Sequence, residues 1–268
     1  MELRTGWLIA ALVALGAAAP MIWPGGPCGW TERITGSGCL SETRIDGLRL
    51  AALDPVAATP GGLAIAGLLD EPVLLRYDPA TRRVTERVSL PMGPGRPEGL
   101  LPREDGTLVV TCTAGAPCAE GGHSAVEVPV GTAPVARSIP APGPAERRAR
   151  HDGVETADGG RAAWRGDGRQ IRLLDAGGAE TGRIDLPGRP GAARWLVADP
   201  GSERLAAVSA HGYGRSVVHV LSPAKQVVLR RFEVAGGRPH VVWLDGDLLL
   251  VTEARQGPAT VLRRFAVP

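Results

Sequence analysis

Apolar residues recur at every second position along most of this chain. VLLRYDP (73–79), RVTERVSLP (83–91) and VVHVLSP (217–223) alternate in this way, the pattern of a strand with one face buried. Between such runs lie shorter stretches that are almost wholly apolar, TLVVTC (107–112), RLAAVSA (204–210) and LLLVTEA (248–254). These read as strands covered on both faces. Asp105-Gly106, Asp158-Gly159 and Asp245-Gly246 stand between apolar runs, where glycine tolerates the positive φ of a hairpin turn.

The runs repeat in a fixed order. A short apolar segment with a turn comes first (GLLPREDG, GVETADGG, WLVADPGSE, VVWLDGD). A small apolar strand follows (TLVVTC, RAAWRG, RLAAVSA, LLLVTEA), then an alternating one (VLLRYDP, AVEVPV, IRLLDA, VVHVLSP, TVLRRFA). A polar alternating strand closes the unit (RVTERVSLP, VARSIPAP, TGRIDLPG, VVLRRFEVAGG). The same break, Gly-Arg-Pro, recurs at 95–97, 188–190 and 237–239. The first two breaks are 93 residues apart and the last two 49, which places a hidden copy near Gly143-Pro144. A similar step back from Pro97 lands a little before Pro55 and Pro60, of which Pro60, in TPGGLAIAG, is the better match. Five units therefore start near residues 60, 97, 144, 190 and 239, the first one shortened.

Four strands in about 40–50 residues is the unit of a β-propeller blade. The predicted fold is all-β, a propeller of about five four-stranded blades, or six if residues 44–55 form part of another. The last unit ends at TVLRRFAVP without a fourth strand. TRIDGLRLAAL (43–53) is the segment expected to supply it, so that the two ends of the chain close the ring without an open edge.

The first residues break the pattern. Gly6–Trp23 carries no charge and as a helix would be about 27 Å long, close to the hydrocarbon thickness of a bilayer. Arg4 precedes it, and Trp7 and Trp23 stand at its ends as interfacial aromatics do. A cleaved leader is the competing reading, but Pro20 directly follows the small residues of LGAAAP. The expected organisation is a cytoplasmic 1–5, a transmembrane anchor at 6–23, a linker at 24–43 and a propeller at 44–268. By this reading the chain sits in a bacterial inner membrane in a single pass, with the propeller in the periplasm. Cys28, Cys39, Cys112 and Cys118 then lie on the oxidising side. The neighbouring pairs Cys28–Cys39 and Cys112–Cys118 are the expected disulfides among three connectivities.

Composition narrows the function. The net charge is +2, so no strong field points to nucleic acid. Lys225 is the sole lysine and asparagine is absent. Glycine (37) and proline (24) are abundant and spread between apolar runs, which fits many short strands rather than disorder.

PGSERLAAVSAHGYGRSVVHVLSPAKQVVLRRFEVAGGRPH (200–240) resembles a blade of the YVTN family, relatives of the WD40-like propeller repeats. VVHVLSP and VLRRFEVAGGRP match the third strand and the closing piece of that pattern, and residues 73–91 match about as well. The second-strand motif is degenerate here, as LVVT, AAWR, AAVS and LLVT. The resemblance covers roughly residues 44–268 and implies architecture more than activity. Calcium-dependent propeller hydrolases resemble this fold and use asparagine oxygens beside carboxylates, a pattern this sequence lacks. Quinone-binding propellers are longer and carry tryptophan-docking repeats that are missing.

Propeller ligands sit in the channel or at the loops opening each inner strand. The candidates there are Glu98, His151, Asp152, Arg194 and His240, with Glu253 on a second strand. His123, His211 and His219 follow no metal spacing. Trp164, Trp195 and Trp243 recur near the first two strands of successive units, as packing between blades. No nucleophile elbow, phosphate loop or zinc-helix motif occurs, and no catalytic residue, metal or cofactor is assigned. The expected role is a non-catalytic accessory subunit of a membrane complex, respiratory or photosynthetic, held to the bilayer by residues 6–23. The alternatives are a tethered, metal-assisted hydrolase or lactonase, and a ligand- or peptide-binding sensor.

Overall fold

The first two strands of the chain belong to its last sheet. The computed structural model describes residues 22–23, 39–51, 54–92, 97–103, 105–112, 125–129, 137–139, 153–156, 158–188, 191, 193–200, 203–211, 215–235, 238–254 and 257–267. In it β1 (Ile22–Trp23) pairs with β2 (Cys39–Asp46), placing Ile22 opposite Ile45 and Trp23 opposite Arg44. This corrects the expected helix boundary. Ile22 and Trp23 are strand residues, so a helix through Trp23 is excluded, while Trp7 and residues 6–21 lie outside the described residues. The described residues contain no helix long and apolar enough to cross a membrane.

Five antiparallel sheets follow from the repeat. Blade 1 has an inner strand in two pieces, β3 (Arg49–Leu50) and β4 (Val56–Thr59). Both pair with β5 (Gly62–Leu68), and β6 (Pro72–Asp78) and β7 (Arg83–Ser89) lie outside it. Blade 2 runs outward as β8 (Pro97–Pro102), β9 (Leu108–Cys112), β10 (Ala125–Val128) and β11 (Arg137–Ile139). Blade 3 is β12 (Val154–Glu155), β13 (Arg161–Trp164), β14 (Gln170–Leu174) and β15 (Glu180–Asp185). Blade 4 has the longest strands, β16 (Ala193–Ala198), β17 (Leu205–His211), β18 (Arg215–Ser222) and β19 (Val227–Ala235). Blade 5 is β20 (His240–Leu244), β21 (Asp247–Glu253) and β22 (Ala259–Phe265), completed by β2 and β1. The described strands form five sheets, and the described part of residues 44–55 joins blades 5 and 1 rather than beginning a sixth.

The Gly-Arg-Pro breaks separate β7 from β8, β15 from β16 and β19 from β20, the crossings from an outer strand to the next inner one. Pro60 is different. It sits in the turn between β4 and β5, because the outer strand that would precede blade 1 is β2, and Gly47 makes that crossing with φ +79°. In blade 5 the inner turn is Asp245-Gly246, with φ 51° and 80°. That is the two-residue hairpin conformation in which both central residues need positive φ.

The two ends of the chain close the ring, but the closing strand lies earlier than the expected 43–53: it is β2, and Arg49–Leu50 of that segment is β3 of blade 1. β2 lies along β22 from Cys39 opposite Phe265 to Asp46 opposite Ala259, so the propeller takes in residues 39–43 as well. Glu42 and Arg263 face each other across this pair. Arg263 is fully buried, its Nε donates to Glu42 Oε2 at 3.0 Å, and its Nη1 donates to Thr252 Oγ1 at 3.2 Å. A buried guanidinium is tolerated because its donors are met.

Hydrophobic layers lie between blades rather than inside one shell. Leu74, Leu100, Val110 and Val126 pack blade 1 on blade 2, and Ile45, Ile65, Leu75 and Leu262 pack blade 5 on blade 1. A middle strand therefore has both faces covered. β9 is buried at every position, whereas the outer β7 alternates. Backbone joins the inner strands as well. The Leu100 amide donates to the Asp54 carbonyl at 2.6 Å, and the Asp54 amide donates to the Glu98 carbonyl at 3.3 Å.

Candidate functional site

Antiparallel strands give each blade two ends. The crossings between blades and the β17–β18 type of loop share one face, here called the crossover face. The turns from first to second and from third to fourth strand share the other, the hairpin face. The four described candidates from the sequence, Glu98, Arg194, His240 and Glu253, stand at strand ends on the crossover face.

The side chains of Arg194 and Glu253 reach across blade boundaries. Arg194, second in β16, lays its guanidinium over the Trp164 ring of blade 3 at 5.8 Å, with Nη1 3.5 Å from the Gly166 carbonyl. Glu253, at the end of β21, is exposed and accepts a hydrogen bond from the Leu50 amide of blade 1 at 3.2 Å. His240 opens β20 opposite Val251 and is buried. Burial and the neighbouring Arg238 push its imidazole down to about 3, so it is neutral at pH 7. Glu98 is half-buried in β8, with its carbonyl bonded to Asp54. His151 and Asp152 lie outside the described residues. Among the described residues no three histidine, cysteine, aspartate or glutamate side chains gather to hold a metal. Cys39 and Cys112 are both disulfide-bonded, and Cys28 and Cys118 lie outside the described residues.

The three recurrent tryptophans each carry an arginine from across a blade boundary. Besides Arg194 on Trp164, Arg238 lies 4.4 Å from the Trp195 ring centroid and Arg204 5.0 Å from that of Trp243. The flat guanidinium covers the ring face, a geometry that contributes about 0.5–2 kcal/mol. Arg204 does more. It pairs with Asp199 at 2.7 Å and donates to the Gly246 carbonyl at 2.8 Å and the Val267 carbonyl at 3.1 Å. Trp243 Nε1 reaches back to the Val197 carbonyl at 3.1 Å.

His219, in the middle of β18, spans the neighbouring joint. Its Nε2 lies 3.2 Å from the Pro187 carbonyl of blade 3. A carbonyl only accepts, so Nε2 carries the proton. Burial pushes this imidazole down to about 4 against the opposing pull of Pro187, with Arg231 adding to the depression.

The hairpin face carries a feature that sequence reasoning missed. Blades 3 and 4 part there to leave a cleft of about 390 Å³. Leu173, Leu174, Ala198 and Leu205 form its apolar lining, while Glu155, Asp158, Arg161, Asp199, Glu203 and Arg204 bring charge. Asp158 shapes one rim, accepting from Thr156 Oγ1 at 2.5 Å and the Gly160 amide at 3.2 Å. These bonds hold its carboxyl below the usual range. The signal in the sequence was the turns themselves: VETADGGR and ADPGSER are the corresponding loops of successive repeats, and both are acidic.

No protein-family model and no curated protein matches the chain. Solved structures similar to it include a member of the DUF4221 family from Bacteroides vulgatus, 7% identical, with TM-score 0.44, covering 92% of this chain and 98% of that one. Hydrazine synthase from Kuenenia stuttgartiensis is 16% identical with TM-score 0.33, covering 79% of this chain and 58% of that one. Glutaminyl cyclase from Myxococcus xanthus is 14% identical with TM-score 0.35, covering 82% and 95%. This chain spans 58% of the length of the hydrazine synthase chain. The propeller assignment rests on the five sheets.

Proposed function

We propose that this protein is a non-catalytic accessory subunit of a bacterial membrane complex. Its propeller stands in the periplasm on an anchor formed by residues before Ile22, and it makes contacts with other integral subunits. One observation carries the reading: three of the side chains that the sequence nominated for chemistry are taken up by the ring. Arg194 covers Trp164, Glu253 ties blade 5 to blade 1, and His240 is buried and neutral. The direction of β1 supports it. Ile22 lies opposite Ile45, near the crossover end of β2, so β1 begins at the crossover face, and in this proposal that face turns toward the membrane. Purification of the full chain in mild detergent, followed by mass spectrometry of what accompanies it, tests the reading. A reproducible set of integral-membrane subunits is expected; recovery of the chain alone as a monomer defeats it.

The cleft favours a second reading, a ligand-binding sensor. It opens on the hairpin face, away from the proposed membrane side, where a soluble ligand would arrive. At about 390 Å³ it falls within the usual size of small-molecule sites.

A further inference from the structure

The cleft between blades 3 and 4 has one sign of spare charge. Four carboxylates line it, from Glu155, Asp158, Asp199 and Glu203, against two guanidiniums, from Arg161 and Arg204, a net of −2. The two arginines are not equally available. Arg204 is committed to Asp199, to two backbone carbonyls and to the Trp243 face. Asp199, buried beside it, is neutralised by the same pair. What faces the opening is Glu155, Asp158 and Glu203, opposed by Arg161. Among the described residues neither Glu155 nor Glu203 has an ion-pair partner. Below them lies an aliphatic surface from Leu173, Leu174, Ala198 and Leu205.

Each ligand class can be weighed against this arrangement. An anion would meet three carboxylates and a single uncommitted arginine. A neutral apolar molecule would gain the floor but draw water from the carboxylates without replacing it, which is costly. A metal ion needs ligands converging at one point, and among the described residues no three such groups converge. An organic cation satisfies both surfaces, with its stem on the leucines and its head among the carboxylates.

We propose that this cleft binds a small organic cation, a primary ammonium or a guanidinium on an apolar stem, with Glu155 and Glu203 receiving the head group and Leu173 and Leu205 the stem. The proposal rests on the ligand-binding reading and names its ligand class.

The test is calorimetric titration of the full chain with n-pentylammonium and n-butylguanidinium, beside pentanoate and 1-pentanol as anionic and neutral probes of similar length. Both cations are expected to bind saturably, and more weakly as salt rises. The double variant Glu155→Gln/Glu203→Gln should weaken them about tenfold or more, the loss of about 1.4 kcal/mol of charge-assisted contact. Ala198→Leu, which fills the floor, should abolish binding of the cations. Unfolding midpoints of the variants establish that they are folded. Pentanoate binding as well as the cations overturns the ligand class while leaving a binding site. No saturable binding of any probe overturns the site itself. Cation affinity unchanged in the glutamine variant also overturns the proposal.

Discussion

Blade 4 packs against a neighbour on each side, and the two joints are built differently. On the blade 5 side the layer contains Trp195, Trp243, Phe232 and Phe265, the last two being the only phenylalanines in the chain. The two phenyl rings lie 4.6 Å apart between centroids, tilted by 50°, and Arg204 plugs the hairpin end. On the blade 3 side the layer is aliphatic, from Ala162, Ile171, Ile184, Leu196, Leu205 and Leu221, with Trp164 at its margin. Its hairpin end is the open cleft. The same repeat thus makes a filled joint and a gapped one, and side-chain volume decides which. A ring needs each joint to hold, but not each joint to be full.

Acid should break the comparison hardest, because two histidines are kept neutral by burial: His219 in the joint of blades 3 and 4, and His240 in blade 5, opposite Val251 on the face turned to blade 1. Both imidazoles are depressed from 6.5 in the folded state, His219 to about 4 and His240 to about 3. The unfolded chain therefore binds more protons below pH 6.5. Stability is unaffected above pH 6.5 and falls as the pH drops. The His219 contribution to that fall levels off near pH 4, and the His240 contribution continues to about pH 3. Each ring should remove about 3 kcal/mol by pH 4. His219→Gln keeps a donor for Pro187 and removes the titrating ring, so about half of the acid-induced loss should disappear in urea titrations from pH 7 to pH 4. A variant whose pH curve overlays the parent would defeat this account. Hydrogen exchange sharpens it: amides of β15 and β18 should lose protection before those of β20.

Next in size is the tryptophan contrast. Trp243 is 3% exposed and bonded to Val197, so Trp243→Ala should cost about 3–5 kcal/mol. Trp164→Ala, at the margin of the gapped joint, should cost less than half as much. Equal losses in denaturant unfolding would mean the two joints are equally packed.

Arg204→Ala removes the plug and takes the guanidinium away from the buried Asp199, an expected loss of about 2–3 kcal/mol. Adding Asp199→Asn should recover part of that loss, since the amide carries no charge to desolvate. A double variant no better than the single one would show that Arg204 acts through Trp243 and the Val267 carbonyl instead.

Much of this organisation could be read from the chain because it depends on local chemistry. Gly-Arg-Pro at 95–97 and 188–190 marks crossings, since proline cannot continue a central strand. Asp245-Gly246 specifies its hairpin through positive φ, and the missing fourth strand of the last unit foretold β2. What escaped the sequence depends on side chains meeting across blade boundaries. Nothing local to Glu253 shows that its carboxylate reaches the Leu50 amide, 203 residues away in sequence. Nothing in the apolar run through Trp23 shows that its last two residues pair with Ile45 and Arg44. The cleft escaped for the same reason, since it is the space left between two turns that the repeat pattern reads as equivalent.

The smallest expected effect is the most direct test of that gap. Ala198 lines the cleft, and Ala206 is fully buried in the aromatic layer on the other side of the same sheet. Enlarging each to leucine adds the same atoms to opposite faces of blade 4. In the filled joint the extra methyls must displace Trp243, Phe232 or their neighbours, and Ala206→Leu should cost about 1–3 kcal/mol. In the gapped joint they enter open space against Leu173 and Leu205, so Ala198→Leu should stay within about 0.5 kcal/mol of the parent. Losses of the same size in urea titration would mean that blades 3 and 4 close in solution to the density of blades 4 and 5.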